Sequence, residues 1–257
     1  MSYRHGLQAS RFEFKFIVDE ASAEGIRNFI RAHLEPDEHT DPGAGNAYPV
    51  NSLYLDSPDL VLFQQTASGL KNRFKLRIRF YDSDPRSPAF LEIKRRTTDV
   101  ILKERAALTR AGVRYLLDGG LPNETHLVND DGGAKAGKAL QNFYSLYDSI
   151  DGCAQIYVCY MREAYVSPDS DKIRVTFDRQ LMGSPFDRET CLTVPLQGTM
   201  PDVGGVVLEM KFTDRFPTWM QEMVEQFNLQ RRSVPKYNLC VKAMGRQPWH
   251  RDEPSME

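Results

Sequence analysis

Between Arg73 and Arg79 every odd position carries a base (Arg73, Lys75, Arg77, Arg79) and every even position an apolar side chain (Phe74, Leu76, Ile78). Strand side chains alternate between faces, so this spacing lines four cations along one face of a sheet. Neighbouring cations there stand ~7 Å apart, and at an effective dielectric of about 20 each adjacent pair repels by roughly 2–3 kcal/mol. A domain with ~5–15 kcal/mol of net stability does not carry several such terms without compensation. Water, answering carboxylates or a bound polyanion must supply it. Arg and Lys donors converging from several strands could grip a chain of phosphates, and carboxylates among them could hold a divalent cation.

Carboxylates do recur in a fixed relation to bases. Glu13-Phe14-Lys15, Glu92-Ile93-Lys94 and Glu209-Met210-Lys211 share one pattern, in which Glu and Lys take one face and an apolar residue the other. The opposite faces are apolar: Phe12, Phe14 and Phe16; Leu91 and Ile93; Leu208, Met210 and Phe212. A Glu/Lys ladder on a solvated sheet explains any one of these strands. It explains the set less well, because the surplus is basic and Arg-rich. Lys71 to Arg105 holds eleven Lys/Arg against five Asp/Glu, although the 257-residue chain has a net charge of only −2. A local excess inside a mildly acidic molecule points to a focused anion site rather than a general nucleic-acid binder. The basic strand also lacks interleaved surface aromatics on which bases could stack.

The elements that must position these residues alternate along the chain. Period-two patterning predicts further strands over Ser52–Asp56, Val100–Leu108, Gln155–Val166 and Lys172–Asp178. Helices are expected over Ala21–Leu34, Asp59–Thr66, Arg110–Asp118 (with Thr109 as N-cap), Lys135–Ile150, Thr218–Phe227 and Tyr237–Met244. Residues 36–48 and 119–134 read as loops. No linker with a shift in composition divides residues 1–247, which are expected to form one domain followed by a disordered tail over 248–257. The pattern suits a closed antiparallel barrel, apolar outside under its helices and charged inside. Small barrels usually fill their interior with apolar side chains, so a cationic lumen implies water and a bound anion.

Other chemistries find little support. The histidines (5, 33, 39, 126, 250) show no metal-ligand spacing, and the four cysteines form no CxxC pair. No Walker-type or GxGxxG loop and no nucleophile elbow occurs. Trp219, Met220, Met223 and Phe227 read as a packed helix face. With no apolar run near 18 residues and no signal-like N-terminus, a reduced, cytoplasmic protein is expected.

Nine segments in order resemble the polyphosphate-polymerase (VTC, vacuolar transporter chaperone) domain of the triphosphate tunnel metalloenzyme, or CYTH-like, superfamily. They are Arg11-Phe-Glu-Phe-Lys-Phe, Ser52-Leu-Tyr-Leu-Asp-Ser, Lys75-Leu-Arg-Ile-Arg-Phe-Tyr, Leu91-Glu-Ile-Lys, Lys103-Glu-Arg, Tyr160-Met-Arg-Glu-Ala-Tyr, Ile173-Arg-Val-Thr-Phe-Asp, Val207-Leu-Glu-Met-Lys-Phe and Pro235-Lys-Tyr. The resemblance covers Arg11 to Lys242. It implies an α+β fold: an eight-stranded antiparallel β-barrel, the triphosphate tunnel, with helices packed outside.

Carried over residue by residue, the resemblance implies phosphate contacts from Lys15, Arg77, Arg79, Lys94, Lys103, Arg162, Arg174 and Lys236; Lys75 and Lys211 join them by periodicity. Arg77, Arg79, Lys94 and Glu209 form the implied catalytic set. Glu209 matches the family's metal-binding glutamate, and Glu13 and Glu92 are candidates for the same Mn²⁺ or Mg²⁺ from their place on the charged face. The implied reaction moves the terminal phosphoryl of ATP onto polyphosphate. Tripolyphosphate or nucleotide hydrolysis and non-catalytic anion binding are the alternatives. Hydrolytic relatives carry Glu-x-Glu-x-Lys on the first strand; Arg11 stands at the first of those positions here, which favours the polymerase branch. Pro235 also replaces the serine of the family's Ser-Lys-Tyr. The SPX domain and membrane segments of eukaryotic relatives are not in this sequence, so export of product would require a membrane partner.

Overall fold

Charged and apolar residues alternate along the strands, and the structure separates them onto opposite faces. The structure is a computed structural model that describes residues 11–40, 43, 45–97, 100–128, 133–168, 170–213 and 215–246. Its strands are β1 (Arg11–Val18), β2 (Glu35–Pro36), β3 (Ala47–Asp56), β4 (Arg73–Phe80), β5 (Ala89–Thr97), β6 (Val100–Leu108), β7 (Cys153–Ser167), β8 (Ser170–Pro185) and β9 (Val206–Thr213). The helices are α1 (Glu20–Ile30), α2 (Val61–Ala67), α3 (Arg110–Leu117), α4 (Gly133–Asp148), α5 (Thr218–Gln226) and α6 (Lys236–Ala243). The chain divides into two compact units, one of residues 1–48, 161–179 and 203–234, the other of 49–160, 180–202 and 235–257.

In the first unit the strands run β1-β9-β8-β7, with β2 paired to β7. The apolar sides of β1, β8 and β9 bring Phe16, Val175, Phe177, Leu208 and Met210 into a core with Ala23, Ile26 and Ile30 of α1 and Met220 and Met223 of α5. Trp219 and Phe227 pack against that core, as their helical spacing predicts. Asp19 caps α1 by accepting from the Ser22 N–H at 2.7 Å, which satisfies one of the donors every helix start leaves open. At Gly205, φ is +148°, and a Cβ there would lie 2.4 Å from the Val18 carbonyl oxygen, so only glycine lets the chain enter β9 this close to β1.

In the second unit the order is β7-β3-β4-β5-β6. Leu76, Ile78, Leu91, Ile93, Ala106 and Leu108 turn one way, into a core with Val113 and Leu116 of α3 and Leu140 and Phe143 of α4. Thr109 caps α3 as its position predicts. The start of α2 is later than Pro58 suggested: its N-cap position is Leu60, and the more distant Asp56 accepts from its first turn. Its carboxylate accepts from the N–H groups of Leu62 (2.8 Å) and Phe63 (2.9 Å) and from the Tyr237 hydroxyl (2.9 Å).

The strands expected from periodicity all form, several of them longer than expected, and every register recorded is antiparallel. The fold is thus α+β, with antiparallel sheet and helices on its apolar sides. Among the described residues β1 pairs with β9 and β6 with β5, and the ladders end there, so hydrogen-bonded closure into a barrel is not part of them. The backbone beside β1 is met instead by Arg232, whose N–H donates to the Lys15 carbonyl at 2.8 Å. The expected tail over 248–257 lies outside the described residues, as do His5 and His250.

Candidate functional site

Each unit carries a charged sheet face, and the two are built on different plans. In the first unit, antiparallel register sets Glu13 opposite Lys211 and Lys15 opposite Glu209. Two Glu-x-Lys segments running in opposite directions therefore pair every acid with a base. The Lys15 ammonium lies 3.1 Å from the Glu13 carboxylate and 3.2 Å from that of Glu209, bridging the two. Glu209 is buried and also faces Lys211 at 3.4 Å and Arg162 at 3.6 Å. Burial pushes the Lys211 ammonium below its ordinary value, against the pull of Glu209 and Glu13.

The arginines of this unit have carboxylates of their own. Arg162 donates twice to Asp178, each bond 2.7 Å long and buried. Arg174, directly opposite Lys211 in register, reaches Asp37 at 2.6 Å and the Tyr48 hydroxyl at 2.9 Å. Asp37 is buried although it falls in a stretch the sequence marks as loop. Fork-on-fork geometry of the Arg162 kind is the strong form of an ion pair. Beside Glu209 in register, the buried Thr176 hydroxyl has no hydrogen-bond partner among the described residues.

The second unit repeats the motif in a different register. Arg77, Glu92 and Arg105 lie directly opposite one another across β4, β5 and β6, and Lys75, Lys94 and Lys103 form the next row. Glu92 is only 1% exposed. Its Oε2 accepts from Arg77 Nε at 2.8 Å and pairs with a terminal nitrogen of the same guanidinium at 2.7 Å; Oε1 lies 2.7 Å from the Lys103 ammonium. Arg79 and Arg105 stand farther off, at 3.9 and 3.6 Å. Burial opposes the charge on Glu92, but Arg77, Arg79 and Lys103 together hold its carboxyl far below the usual range. Burial lowers Lys103 to about 8 despite Glu92. Burial opposes the charge on Arg77, but Glu92 together with Tyr54 and Tyr160 raises it above its ordinary value.

Aromatic side chains steady several of these cations. Tyr54 accepts from Arg77 at 3.3 Å and Tyr160 from Arg79 at 3.5 Å; the Lys236 ammonium lies 4.9 Å from the Tyr160 ring centre. The Arg105 guanidinium sits 3.6 Å over Phe90. Arg79 is buried, yet its Nε has no hydrogen-bond partner among the described residues, and neither has the hydroxyl of Ser52, which stands opposite it. Leaving such a donor unsatisfied costs about 1–3 kcal/mol, a cost that a bound anion relieves.

The sequence-derived residues therefore fall into two groups. Glu13, Lys15, Arg162, Glu209 and Lys211 cluster in the first unit, with Arg174 turned to Asp37. Arg77, Arg79, Glu92 and Lys103 cluster in the second, with Lys75 and Lys94 on the same face and Lys236 at Tyr160. Arg105, Tyr54, Tyr160, Asp37 and Asp178 were missed as site residues. Arg105 was legible, since it lies two residues beyond Lys103 and so on the same face; the others answer cations far away in sequence.

Among the described residues no three His, Cys, Asp or Glu side chains gather into a metal-holding group. Two carboxylates still suit a hard divalent cation that keeps water and phosphate oxygens as its other ligands. Glu13 and Glu209 meet that need, because one ammonium already occupies the place between them. Glu92 does not, because four cations surround it.

The family model described as the VTC domain matches residues 10–245. No curated protein matches the chain significantly. Similar solved structures include a Vibrio parahaemolyticus protein described as a candidate adenylate cyclase (13% identity, TM-score 0.44, covering 90% of this chain and 97% of that one). A protein of Pyrococcus horikoshii is another (12% identity, TM-score 0.45, covering 92% and 99%).

Proposed function

Because the chain belongs to the VTC-domain family, we propose that it transfers the terminal phosphoryl of ATP to a polyphosphate chain, inside the closed basic tunnel that the family resemblance implies. The observation that carries this reading is the cation surplus around Glu92, with a buried Arg79 Nε that no described residue satisfies. Arg77, Arg79, Lys94 and Lys103 would grip phosphoryl oxygens, with Lys75 and Lys236 extending the grip along the chain. Lys15, Arg162, Arg174 and Lys211 would do the same in the first unit. Glu209, helped by Glu13, would hold Mn²⁺ or Mg²⁺. When bound, that ion would supply charge neutralisation at the transferring phosphoryl group.

A terminal oxygen of the acceptor chain forms the new P–O bond as the bond from the γ-phosphorus to ADP breaks. The loose transition state of phosphoryl transfer asks for alignment and charge neutralisation, so no side-chain nucleophile is needed. Phosphorus NMR of the protein with ATP and Mn²⁺ tests the proposal, with Glu209→Ala as control. Internal-phosphate signal growing alongside ADP, and lost in the variant, is the expected result. Orthophosphate without chains would make the protein a hydrolase. Salt-dependent tripolyphosphate binding without turnover would make it a binding module.

A further inference from the structure

Glu92 is set where a phosphate would be expected. Its Oε2 accepts from Arg77 at 2.8 Å, whereas Oε1 lies 2.7 Å from the Lys103 ammonium as an ion pair without a hydrogen bond among the described residues, and Arg79 and Arg105 remain at 3.9 and 3.6 Å. Among the described residues this one carboxylate thus has four cations within 4 Å, a surplus of three positive charges around it. A metal ligand belongs near other carboxylates or among neutral oxygens, whereas the ion-pair partners of Glu92 among the described residues are cations. A purely structural salt bridge needs one partner, not four. What remains is an anion that holds the array together and competes with incoming anions for the same donors.

We propose that Glu92 is a resident anion that limits how tightly the Arg77–Arg79–Lys103–Arg105 array holds a phosphate chain, and so keeps the chain releasable. The inference rests on the phosphate-gripping role proposed above and adds the residue that sets the strength of the grip. Glu92 positions two cations by pairing with them, and it repels the ligand that the other two attract. A site that advances a growing chain cannot bind each phosphate at full strength, since every step requires the previous contacts to break. Two consequences follow in opposite directions. Loss of the Glu92 charge raises affinity for polyanions, whereas an ordinary structural or metal-binding role gives weaker or unchanged affinity.

The test is tripolyphosphate binding by calorimetry in EDTA, with no metal, comparing the whole protein with Glu92→Gln. Removing a negative charge within a few ångströms of the ligand should tighten binding about tenfold or more, with slower release, and the gain should shrink as salt rises. Folded Glu92→Gln with unchanged or weaker binding overturns the proposal. The same pair is also measured in an Arg105→Gln background, where removing Glu92 leaves three cations instead of four. Tightening is expected there too, so the test survives if Glu92→Gln alone fails to fold, and its absence there also overturns the proposal. No tripolyphosphate binding by the wild-type protein would instead overturn the phosphate-gripping reading, and with it this one.

Discussion

One tripeptide pattern gives opposite electrostatics in the two units. On the Glu209 face four carboxylates (Glu13, Asp37, Asp178, Glu209) answer four cations (Lys15, Arg162, Arg174, Lys211). Around Glu92 one carboxylate answers four cations among the described residues. The first unit has a cation between carboxylates, and the second a carboxylate among cations. Register makes the difference: acids fall opposite bases across β1 and β9, while arginines flank Glu92 and lysines flank Lys94 across β4, β5 and β6. A balanced face answers its own charges, whereas a surplus face attracts an anion.

The largest expected effect sets the two faces apart by function. Glu209→Ala should lower metal-dependent turnover by about 10³-fold, the scale of several kcal/mol of lost charge stabilisation. Its tripolyphosphate affinity without metal should not fall. A fall in that affinity would break the division between a metal face and an anion face.

Next comes a contrast between stability and binding. Arg162→Ala strips Asp178 of a buried bidentate partner and should cost about 3–5 kcal/mol, a drop in Tm of roughly 6–20 °C. Arg77→Ala leaves Glu92 with Lys103 and two further cations, so its Tm should fall less, while tripolyphosphate affinity should fall more than in Arg162→Ala. Thermal melts and titrations of both proteins decide, and equal losses of both kinds would erase the distinction.

Lys103 gives a smaller, pH-dependent effect. Its pKa of about 8 means that its charge, present below pH 8, is lost as pH rises through that value. Binding that depends on the ammonium should therefore weaken between about pH 7 and 9.5. Arginine keeps its charge throughout, so Lys103→Arg should flatten that part of the profile. The ligand's own titration is common to both proteins and cancels in the comparison. Parallel profiles would remove Lys103 from the site.

The smallest effect is a null one. Arg86 contributes to the basic excess counted along the sequence, but it is exposed and paired with Asp84 on the surface. Arg86→Ala should change neither melting nor binding measurably.

Alternation along Arg73–Arg79 and the three Glu-x-Lys segments was enough to assign faces, because strand geometry permits one outcome: odd residues together, even residues opposite. The same rule made the Arg105 placement readable. Thr109 announced its helix, and the α5 aromatic and methionine residues their core. Less was visible at α2, whose first-turn N–H groups are met by Asp56, at Asp37 in a stretch that reads as loop, and at Arg162, whose carboxylate lies sixteen residues on in the neighbouring strand. Sequence alone thus determined which residues are charged, which share a face and which helices cover the apolar side, since these follow from local periodicity. Which acid meets which base was decided by tertiary structure, because strand register is fixed by packing of the opposite, apolar face. A shift of one residue there would have turned every charged side chain inward.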